Sequence, residues 1–337
     1  MVALATLVGV SVGVALPRSS SGLQPPAAPS YAMSQVFNRN INVPDPAVLV
    51  GSGTDYLYAA GDGSGVQYMP IYPFRQLGQL GQAIDGMPTP PSWSSDWIWP
   101  ADIRKSGSRY VMWFTAIDRN EILPTGAPAK CIGVAISSSP TGPYLPGPAP
   151  VICDAWGSID PRTFVDPNGQ LWLDWKSDDN AAVQAPSATR IWAQRLAPDG
   201  DTLMGVPAEI FHADQSWEGN LVEAPDMVLL DSHYYLFFSG NASSSPSSGI
   251  GVATCAGPAG PCQDPALGPL LGSNVQGAGP GEESIFEQDG ATWLLYSPNA
   301  IFGTNISRPL AVARVAVGTH GPYISTFDGL VPGFPTS

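Results

Sequence analysis

The stretch DPRTFVDPNGQLWLDWKS, residues 160–177, contains the pattern that decides the fold. An acidic residue precedes a short run of apolar side chains, the turn sequence Asp-Pro-Asn-Gly follows, and a strand rich in aromatic residues ends the stretch. Turn residues between two such runs predict a β-hairpin. The same pattern occurs five times along the chain, so we expect a fold built from repeats. The five hairpins occupy residues 45–61, 102–116, 160–177, 223–240 and 283–298.

The spacing of the hairpins favours one arrangement of the strands. Their acidic heads lie about 60 residues apart, and each unit contains a later strand, at residues 66–72, 131–137, 189–196, 249–254 and 309–317. Five units of three or four strands predict an all-β, five-bladed β-propeller, because a β-sandwich seldom shows so even a repeat. An acid at the head of each innermost strand would point towards the central axis. The acids expected at one end of that axis are Asp45, Asp102, Asp160, Glu223 and Glu283.

The composition agrees with a turn-rich β protein. The chain of 337 residues has 37 Gly, 36 Pro and a charged fraction of only 12%, which suits one large β-rich domain with a sizeable core. Its formal net charge is -14, and its pI is near 4.3. Such a charge repels a phosphate backbone, since nucleic-acid affinity comes largely from Lys and Arg. We therefore expect no nucleic-acid partner.

The first 35 residues are expected to lie outside the propeller. Residues 1–16 form an apolar run that resembles the hydrophobic region of a secretory signal peptide, although no positive charge precedes it. An uncleaved N-terminal anchor or a misassigned start is the alternative. Residues 17–35 predict a linker rich in Pro and Ser, and residues 36–335 a single propeller domain. No other segment is apolar enough to span a bilayer, so we expect a secreted, extracellular protein with no membrane partner beyond such an anchor.

The four cysteines agree with export from the cell. Cys131 and Cys153 flank one loop rich in Pro and Gly, and Cys255 and Cys262 flank another. Two local disulfides, Cys131 with Cys153 and Cys255 with Cys262, are the simplest of the three possible pairings. Four reduced cysteines in the core are the alternative.

Three of the acids lie in settings that favour catalysis. Asp45 and Asp160 each precede a proline, and Glu223 begins a Glu-Ala-Pro sequence, so the backbone near each acid is restrained. Splitting a glycosidic bond needs a carboxylic acid to protonate the leaving oxygen and a carboxylate to activate water or attack the sugar. Asp45 and Glu223 are expected to face each other across the axis, and the charge of Asp160 to raise the pKa of Glu223. The alternative for each acid is a simple turn residue.

Other catalytic sites find no support in the sequence. The chain has three histidines, His212, His233 and His320, and they form no His-Glu-x-x-His motif and no cluster with cysteines, so a zinc site is not expected. No Gly-x-Ser-x-Gly sequence lies between a predicted strand and a predicted helix. The glycine-rich residues 51–65 lack the Lys and the following helix of a phosphate-binding loop.

Seven short motifs, in order, resemble those of glycoside hydrolase family 43 across residues 40–318. They are VPDPAVL (43–49), WPADI (99–103), GVAISSSPTGPY (133–144), SIDPRTFVDPNGQLWL (158–173), DGDTLMGVPAEI (199–210), LVEAPDMV (221–228) and GPGEESIF (279–286). In WPADI, Ala and Pro are exchanged relative to the usual family order. The family is one of inverting five-bladed propeller hydrolases of arabinan and xylan. The resemblance implies that Asp45 is the general base that activates water, Glu223 the general acid, and Asp160 the residue that modulates the pKa of the acid and positions it.

One position departs from the family pattern. Many members have His where this chain has Glu282, and that His helps to hold a central metal ion or its water shell. Two alternatives stay open: Glu282 binds a hard cation such as Ca²⁺ directly through oxygen, or the propeller has no central ion. No other cofactor is expected.

Contacts with sugar are expected from aromatic rings, which stack on the faces of pyranose and furanose rings. The candidates are Trp93, Trp97 and Trp99 before the second hairpin and Trp217 before Glu223. The alternative is that these rings pack between blades. Arg308, before the last strand, is a candidate to reach a carboxylate or a hydroxyl, or else to pair with a structural acid.

The sequence as a whole predicts an inverting glycoside hydrolase acting on arabinose- or xylose-containing polysaccharides or oligosaccharides of plant-type cell walls. An α-L-arabinofuranosidase or arabinanase is favoured, and a β-xylosidase comes next. The alternative from another class is a carbohydrate-binding propeller without hydrolytic activity, suggested by Glu282. A retaining fructan-acting relative is disfavoured, because it needs Asn-Asp-Pro-Asn-Gly and Arg-Asp-Pro sequences where this chain has VPDPAVL and Asp160-Pro161-Arg162.

Overall fold

The computed structural model describes residues 35–38, 43–61, 69–75, 80–180, 188–273, 278–302 and 305–325. All of them belong to one compact unit, Ala32–Ser337. The predicted signal segment, residues 1–16, and residues 17–34 of the predicted linker lie outside the described residues, as do residues 66–68 of one predicted strand. Within the described part, no helix is long and apolar enough to cross a bilayer.

The regular secondary structure of the described residues consists of β-strands and one short 3₁₀-helix. Strand β1 spans Gln35–Asn38. The first four-stranded sheet contains β2 (Ala47–Leu49), β3 (Asp55–Tyr58), β4 (Pro70–Phe74) and β5 (Ile84–Asp85). The second contains β6 (Ser94–Ser106), β7 (Arg109–Ile122), β8 (Pro128–Ser137) and β9 (Leu145–Pro146). The third contains β10 (Ser158–Val165), β11 (Leu171–Ser177), β12 (Arg190–Leu196) and β13 (Leu203–His212).

The second half of the chain continues the same plan. A short 3₁₀-helix, Ser216–Glu218, precedes the fourth sheet. That sheet contains β14 (Val222–Leu230), β15 (His233–Gly240), β16 (Gly249–Cys255) and β17 (Cys262–Gln263). The last sheet contains β18 (Ala278–Gln288), β19 (Ala291–Phe302), β20 (Asn305–Ser307), β21 (Leu310–Gly318) and β22 (Gly321–Ser325).

The five antiparallel sheets, numbered blades I to V in the order in which they were described, form a propeller. In blades I to IV the strands pair in chain order, and the first strand of each blade packs against the first strands of its neighbours around the axis. Blade V closes the ring, because β1 from the start of the chain pairs with β21 near its end. The predicted five-bladed β-propeller is confirmed. Strand β1 was not predicted, and it begins at the last residue of the predicted linker.

Apolar clusters between successive blades hold the ring together. The hairpins are apolar on both faces, so each blade buries one face against the blade before it and the other against the blade after it. Blades II and III, for example, share a cluster that includes Val111, Trp113, Leu173 and Trp175. Trp113 also donates its indole N–H to the carbonyl of Gly200 at 2.9 Å. Four similar clusters fill the remaining blade interfaces.

A repeated backbone irregularity shapes the inner strands. Asp45, Asp160, Ala224 and Glu282 have positive φ angles of 52°, 56°, 51° and 56°, and each lies two residues before regular pairing with the next strand resumes. Non-glycine residues adopt this left-handed conformation uncommonly. A bulge of this kind redirects a side chain out of the sheet. In four blades these left-handed residues therefore mark the height along the axis at which side chains turn away from the sheet.

Both predicted disulfides are confirmed. Cys131 is bonded to Cys153 in blade II, and Cys255 is bonded to Cys262 in blade IV. The second disulfide joins neighbouring strands, whereas the first fastens a connecting loop to β8.

Removing the first disulfide should cost more stability than removing the second. The Cys131–Cys153 bridge spans 22 residues and the Cys255–Cys262 bridge only 7, and a longer closed loop restricts the unfolded chain more. We expect Cys131→Ala with Cys153→Ala to lower the free energy of unfolding by about 3 kcal/mol, and the second pair of substitutions by about 2 kcal/mol. Urea denaturation of the two double variants measures the difference. A clearly larger loss for the short loop would contradict the expectation.

Candidate active site

A small cavity lies on the axis at the level of the left-handed residues. Inner strands of all five blades contribute to it, and its lining consists of Asp45, Trp99, Asp160, Arg162, Ala224, Pro225 and Glu282. Its volume is about 20 Å³, which is room for about one water molecule. Two of the three predicted catalytic acids, Asp45 and Asp160, therefore line one cavity, and Glu223 is the neighbour of Ala224 in its wall.

Asp45 is held from two sides by the segment that carries Arg308. The guanidinium Nη1 of Arg308 donates to Asp45 Oδ1 at 2.8 Å, and the backbone N–H of Val43 donates to the carbonyl of Arg308 at 3.0 Å. Burial raises the pKa of Asp45, and the charge of Glu223 adds to this, while Arg308 acts against it. The hydrogen bond from Arg308 is made to Oδ1 of Asp45, and Asp45 itself lines the cavity.

Asp160 connects three blades. Its backbone N–H donates to Thr115 Oγ1 of blade II at 3.1 Å, and its Oδ2 accepts the backbone N–H of Ala224 in blade IV at 3.0 Å. Burial, followed by the negative charge of Glu223, raises the pKa of Asp160 to about 7. Because Ala224 follows Glu223 directly, the hydrogen bond from its N–H fixes the backbone beside the predicted acid.

Glu223 has a cationic partner that the sequence analysis missed. Lys176 Nζ lies 3.0 Å from Glu223 Oε2 and 3.1 Å from Asp178 Oδ1. Lys176 is only 1% exposed. Burial opposes its charged form, but the negative charges of Glu223, Asp178 and Asp160 outweigh burial and raise the pKa of Lys176. A lysine directly after the run LWLDW, residues 171–175, in a strand that is expected to be buried was the available signal, because a buried lysine needs a charged partner.

Glu282 takes the fourth acidic place at the cavity. Its backbone N–H donates to Ser239 Oγ at 2.8 Å, and its half-buried carboxyl lines the cavity. Burial raises the pKa of Glu282 well above its usual value, and the charges of Asp45, Asp160 and Glu223 add to the effect.

Direct binding of Ca²⁺ by Glu282 stays a prediction. In the part of the chain that the structure describes, no three acidic, His or Cys side chains are arranged to hold a metal ion. The second alternative, a propeller without a central ion, stays a prediction.

The predicted sugar-binding tryptophans fall into two groups. Trp99 lines the cavity and stacks on Trp97, with ring centroids 6.1 Å apart and planes 20° apart. Trp97 is 40% exposed, so the pair extends from the cavity to the surface. The prediction was wrong for Trp93, which is 4% exposed and stacks on Phe114 in the core of blade II.

Trp217 also lies away from the cavity. Its ring stacks on Phe238 at 5.8 Å and contacts the backbone of Gly240, in the cluster between blades III and IV. Its ring packs between blades, and a contact with sugar stays a prediction. Arg308 does reach a carboxylate, that of Asp45.

The expectation of five acids at one end of the axis was wrong for two of them. Asp102 follows the bulge in its strand, accepts the N–H of Thr163 at 3.1 Å, and lines a separate cavity of about 520 Å³. Glu283 follows the left-handed residue Glu282 and accepts a hydrogen bond from Ser239 Oγ at 2.7 Å. Shifting a residue by one position along a strand turns its side chain to the other side, so Glu282 faces the cavity in place of Glu283.

The fold and the site define the class of this protein: a five-bladed β-propeller with a cluster of carboxylates around a cavity on its axis. The family model of Glycosyl hydrolases family 43 matches residues 39–319. The chain therefore belongs to this family, and the predicted resemblance is confirmed.

Individual relatives are distant. Xylosidase/arabinosidase 43A of Humicola insolens is 30% identical over 154 residues, which cover 40% of this chain and 43% of the relative. Extracellular endo-alpha-(1->5)-L-arabinanase 2 of Bacillus subtilis (strain 168) is 22% identical over 286 residues, or 74% and 55% of the two chains. These matches span about half the length of each curated relative. The crystal structure of a thermostable family-43 glycoside hydrolase has the same fold, with a TM-score of 0.74, 22% identity, and coverage of 88% of this chain and 97% of the other.

Proposed function

We propose that this protein is an inverting glycoside hydrolase that removes or cleaves arabinose- or xylose-containing units of plant-type polysaccharides. The observation that carries the proposal is the proximity of three acids from three different blades. Asp45 and Asp160 line one cavity with room for about one water molecule, and Glu223, whose charge acts on Asp160, directly precedes Ala224 in the wall of that cavity. Hydrolysis with inversion needs such an arrangement, because a base-activated water attacks one side of the sugar while an acid protonates the leaving oxygen on the other.

In the proposed reaction Asp45 is the general base. Arg308 occupies Oδ1 of Asp45 and keeps a positive charge beside it, which favours the ionised form that a base needs. The other oxygen, Oδ2, takes a proton from the water molecule as the water attacks the anomeric carbon.

Glu223 is the proposed general acid, and Asp160 is its positioning partner. The bond from the N–H of Ala224 to Asp160 Oδ2 sets the backbone from which the Glu223 side chain extends. With its pKa raised to about 7, Asp160 gains and loses its proton near neutral pH. The charge of Asp160 therefore changes near neutral pH. In the same pH range the hydrolase needs one proton at the site for the leaving group.

The substrate class rests on the relatives and on the aromatic pair. The two curated relatives are named as a xylosidase/arabinosidase and an endo-arabinanase, and an α-L-arabinofuranosidase or arabinanase is favoured here, with a β-xylosidase next. Trp97 and Trp99 form an aromatic surface that leads to the cavity, and such a surface suits the faces of successive sugars in a chain. The two disulfides suit a secreted protein, and we propose secretion and a single catalytic domain over residues 36–335.

A substrate panel tests the proposal. Purified protein is incubated with nitrophenyl arabinofuranoside and xyloside, linear and branched arabinan, and arabinoxylan, and proton NMR follows the anomer first released. We expect release of a pentose or a short oligosaccharide with inverted configuration. Retention of configuration would contradict the proposed role of Asp45. Binding to these glycans without turnover on any of them would favour the carbohydrate-binding propeller instead.

A further inference from the structure

We propose that Lys176 is a positioning residue for Glu223: it holds Oε2 of the acid so that Oε1 delivers the proton to the leaving oxygen. This inference rests on the proposed function, in which Glu223 is the general acid. Lys176 lies on β11 of blade III, and its side chain reaches Glu223 at the start of β14 in blade IV. The contact between Nζ and Oε2, at 3.0 Å, is a charged hydrogen bond in a setting that excludes water.

Asp178 keeps Lys176 in place independently of Glu223. Its Oδ1 accepts from Lys176 Nζ at 3.1 Å and its Oδ2 accepts from Lys130 Nζ at 2.9 Å. Burial opposes ionisation of Asp178, but the two lysines outweigh burial and lower its pKa. The Asp178 carboxylate therefore stays charged, and Lys176 has an anionic partner whether Glu223 is protonated or not.

Net stability alone is not a sufficient reason for this buried charge. A buried ion pair contributes little or nothing net to stability, because removing both charges from water costs about as much as their attraction returns. An apolar side chain in place of Lys176 alone would leave Glu223 and Asp178 without this cation, so the lysine and the two acids form one unit. The position of the charge, in contact with the proposed acid, points to a role in the reaction.

The chemistry gives the ammonium group a defined task. In the reaction the proton of Glu223 passes to the glycosidic oxygen, the bond between that oxygen and the anomeric carbon breaks, and its electron pair stays on the leaving oxygen. Glu223 is then a carboxylate. It faces three other acids, Asp45, Asp160 and Glu282, and the cations Lys176 and Arg308. Lys176 is in direct contact with the new charge and stabilises it where the dielectric is low.

Two aryl glycosides separate this role from simple structural support. On a phenyl glycoside of the pentose that the enzyme accepts, the leaving oxygen needs a proton, whereas on the dinitrophenyl glycoside it does not. We expect Lys176→Met to lower kcat/KM on the phenyl glycoside by roughly 10- to 100-fold, and by less than about threefold on the dinitrophenyl glycoside. The matched control is Lys105→Met, which changes an exposed lysine near the end of β6, outside this network of charges, and should leave both rates within about twofold.

Two further measurements complete the test. Loss of a positive charge makes a proton at the site harder to remove, so the alkaline limb of the pH profile of Lys176→Met should move to higher pH. Adding Lys176→Met to Glu223→Gln should cause no further loss on the phenyl glycoside, because the lysine acts through the acid. Equal losses on both glycosides, or an unmoved alkaline limb, would overturn the proposal.

The remaining outcomes are also decisive. If Glu223→Gln keeps full turnover of the phenyl glycoside, Glu223 is not the acid, and the proposed role of Lys176 is rejected with it. If Glu223→Gln loses activity on the phenyl glycoside but Lys176→Met does not, only the role of Lys176 is rejected. Should Lys176→Met fail to fold, Asp178→Asn takes its place. That variant leaves Lys176 present but less firmly held, and we expect the same dependence on the leaving group with a smaller loss, about tenfold or less.

Discussion

In the Asp45→Asn variant, kcat is expected to fall by about 10²–10⁴-fold on every glycoside that the enzyme hydrolyses. Asn has the shape of Asp and tolerates the left-handed backbone at this position, where φ is 52°, but it has no basic oxygen to take the proton of water. The loss should be similar for phenyl and dinitrophenyl leaving groups, since water must be activated in both cases. Initial rates at saturating substrate measure it.

A second aspartate provides the matched control for Asp45. Asp289 also has a positive φ, 53°, and lies exposed in the turn between β18 and β19. Asp289→Asn makes the same chemical change in the same backbone conformation, away from the site, and should keep nearly full activity. If Asp45→Asn retained more than about a tenth of the wild-type kcat, Asp45 would not be the base.

The protein should be less stable at pH 8 than at pH 5, with the melting temperature falling by several degrees between them. Burial raises the pKa of several acids near the axis, among them Asp226 to about 6, Asp160 to about 7 and Glu283 to about 8. Each of them binds a proton in the folded state at a pH where the unfolded chain has released it. Their stabilising contribution is complete below the unfolded pKa near 4 and is lost as the pH rises through the folded values.

Calorimetry at pH 5, 6, 7 and 8 checks this expectation, and Glu283→Gln identifies one of its sources. Gln cannot ionise, and its amide oxygen can still accept the hydrogen bond from Ser239. The melting temperature of the variant should therefore fall less than that of the wild type as the pH rises, chiefly between pH 7 and 8. A melting temperature that rises steadily from pH 5 to 8 would contradict the assignment of raised pKa values to these acids.

Much of the fold could be predicted because its signals are local. Each hairpin has its own turn and its own apolar runs, and the even spacing of five such units specifies a propeller. Strand β1 could not be predicted in this way. Its partner, β21, lies more than 250 residues further along the chain, and a four-residue strand that pairs so far away has no neighbouring turn to reveal it.

The candidate site could be predicted only in part. Asp45 and Asp160 were identified because a following proline restrains each of them, and both line the cavity. The sequence pattern predicted Glu283 and not Glu282 at the head of the hairpin, because the position of the acid in the repeat is defined only to within a residue or two. In the structure the bulge decides which of these two neighbours faces the axis. The sequence analysis did not identify Lys176, because Glu223 lies 47 residues away along the chain and only the folded structure brings the two side chains together.

The pairing of β1 with β21 joins ring closure to the proposed chemistry. Asn38 pairs with Leu310, two residues after Arg308, whose guanidinium holds Asp45. A chain shortened to begin at residue 39 would keep every acid of the site and nearly the whole span that matches the family. It would nevertheless lack the strand that pairs with the segment just after Arg308. We therefore expect loss of this pairing between the two ends of the polypeptide to disturb the position of Asp45, the proposed base, before the other acids.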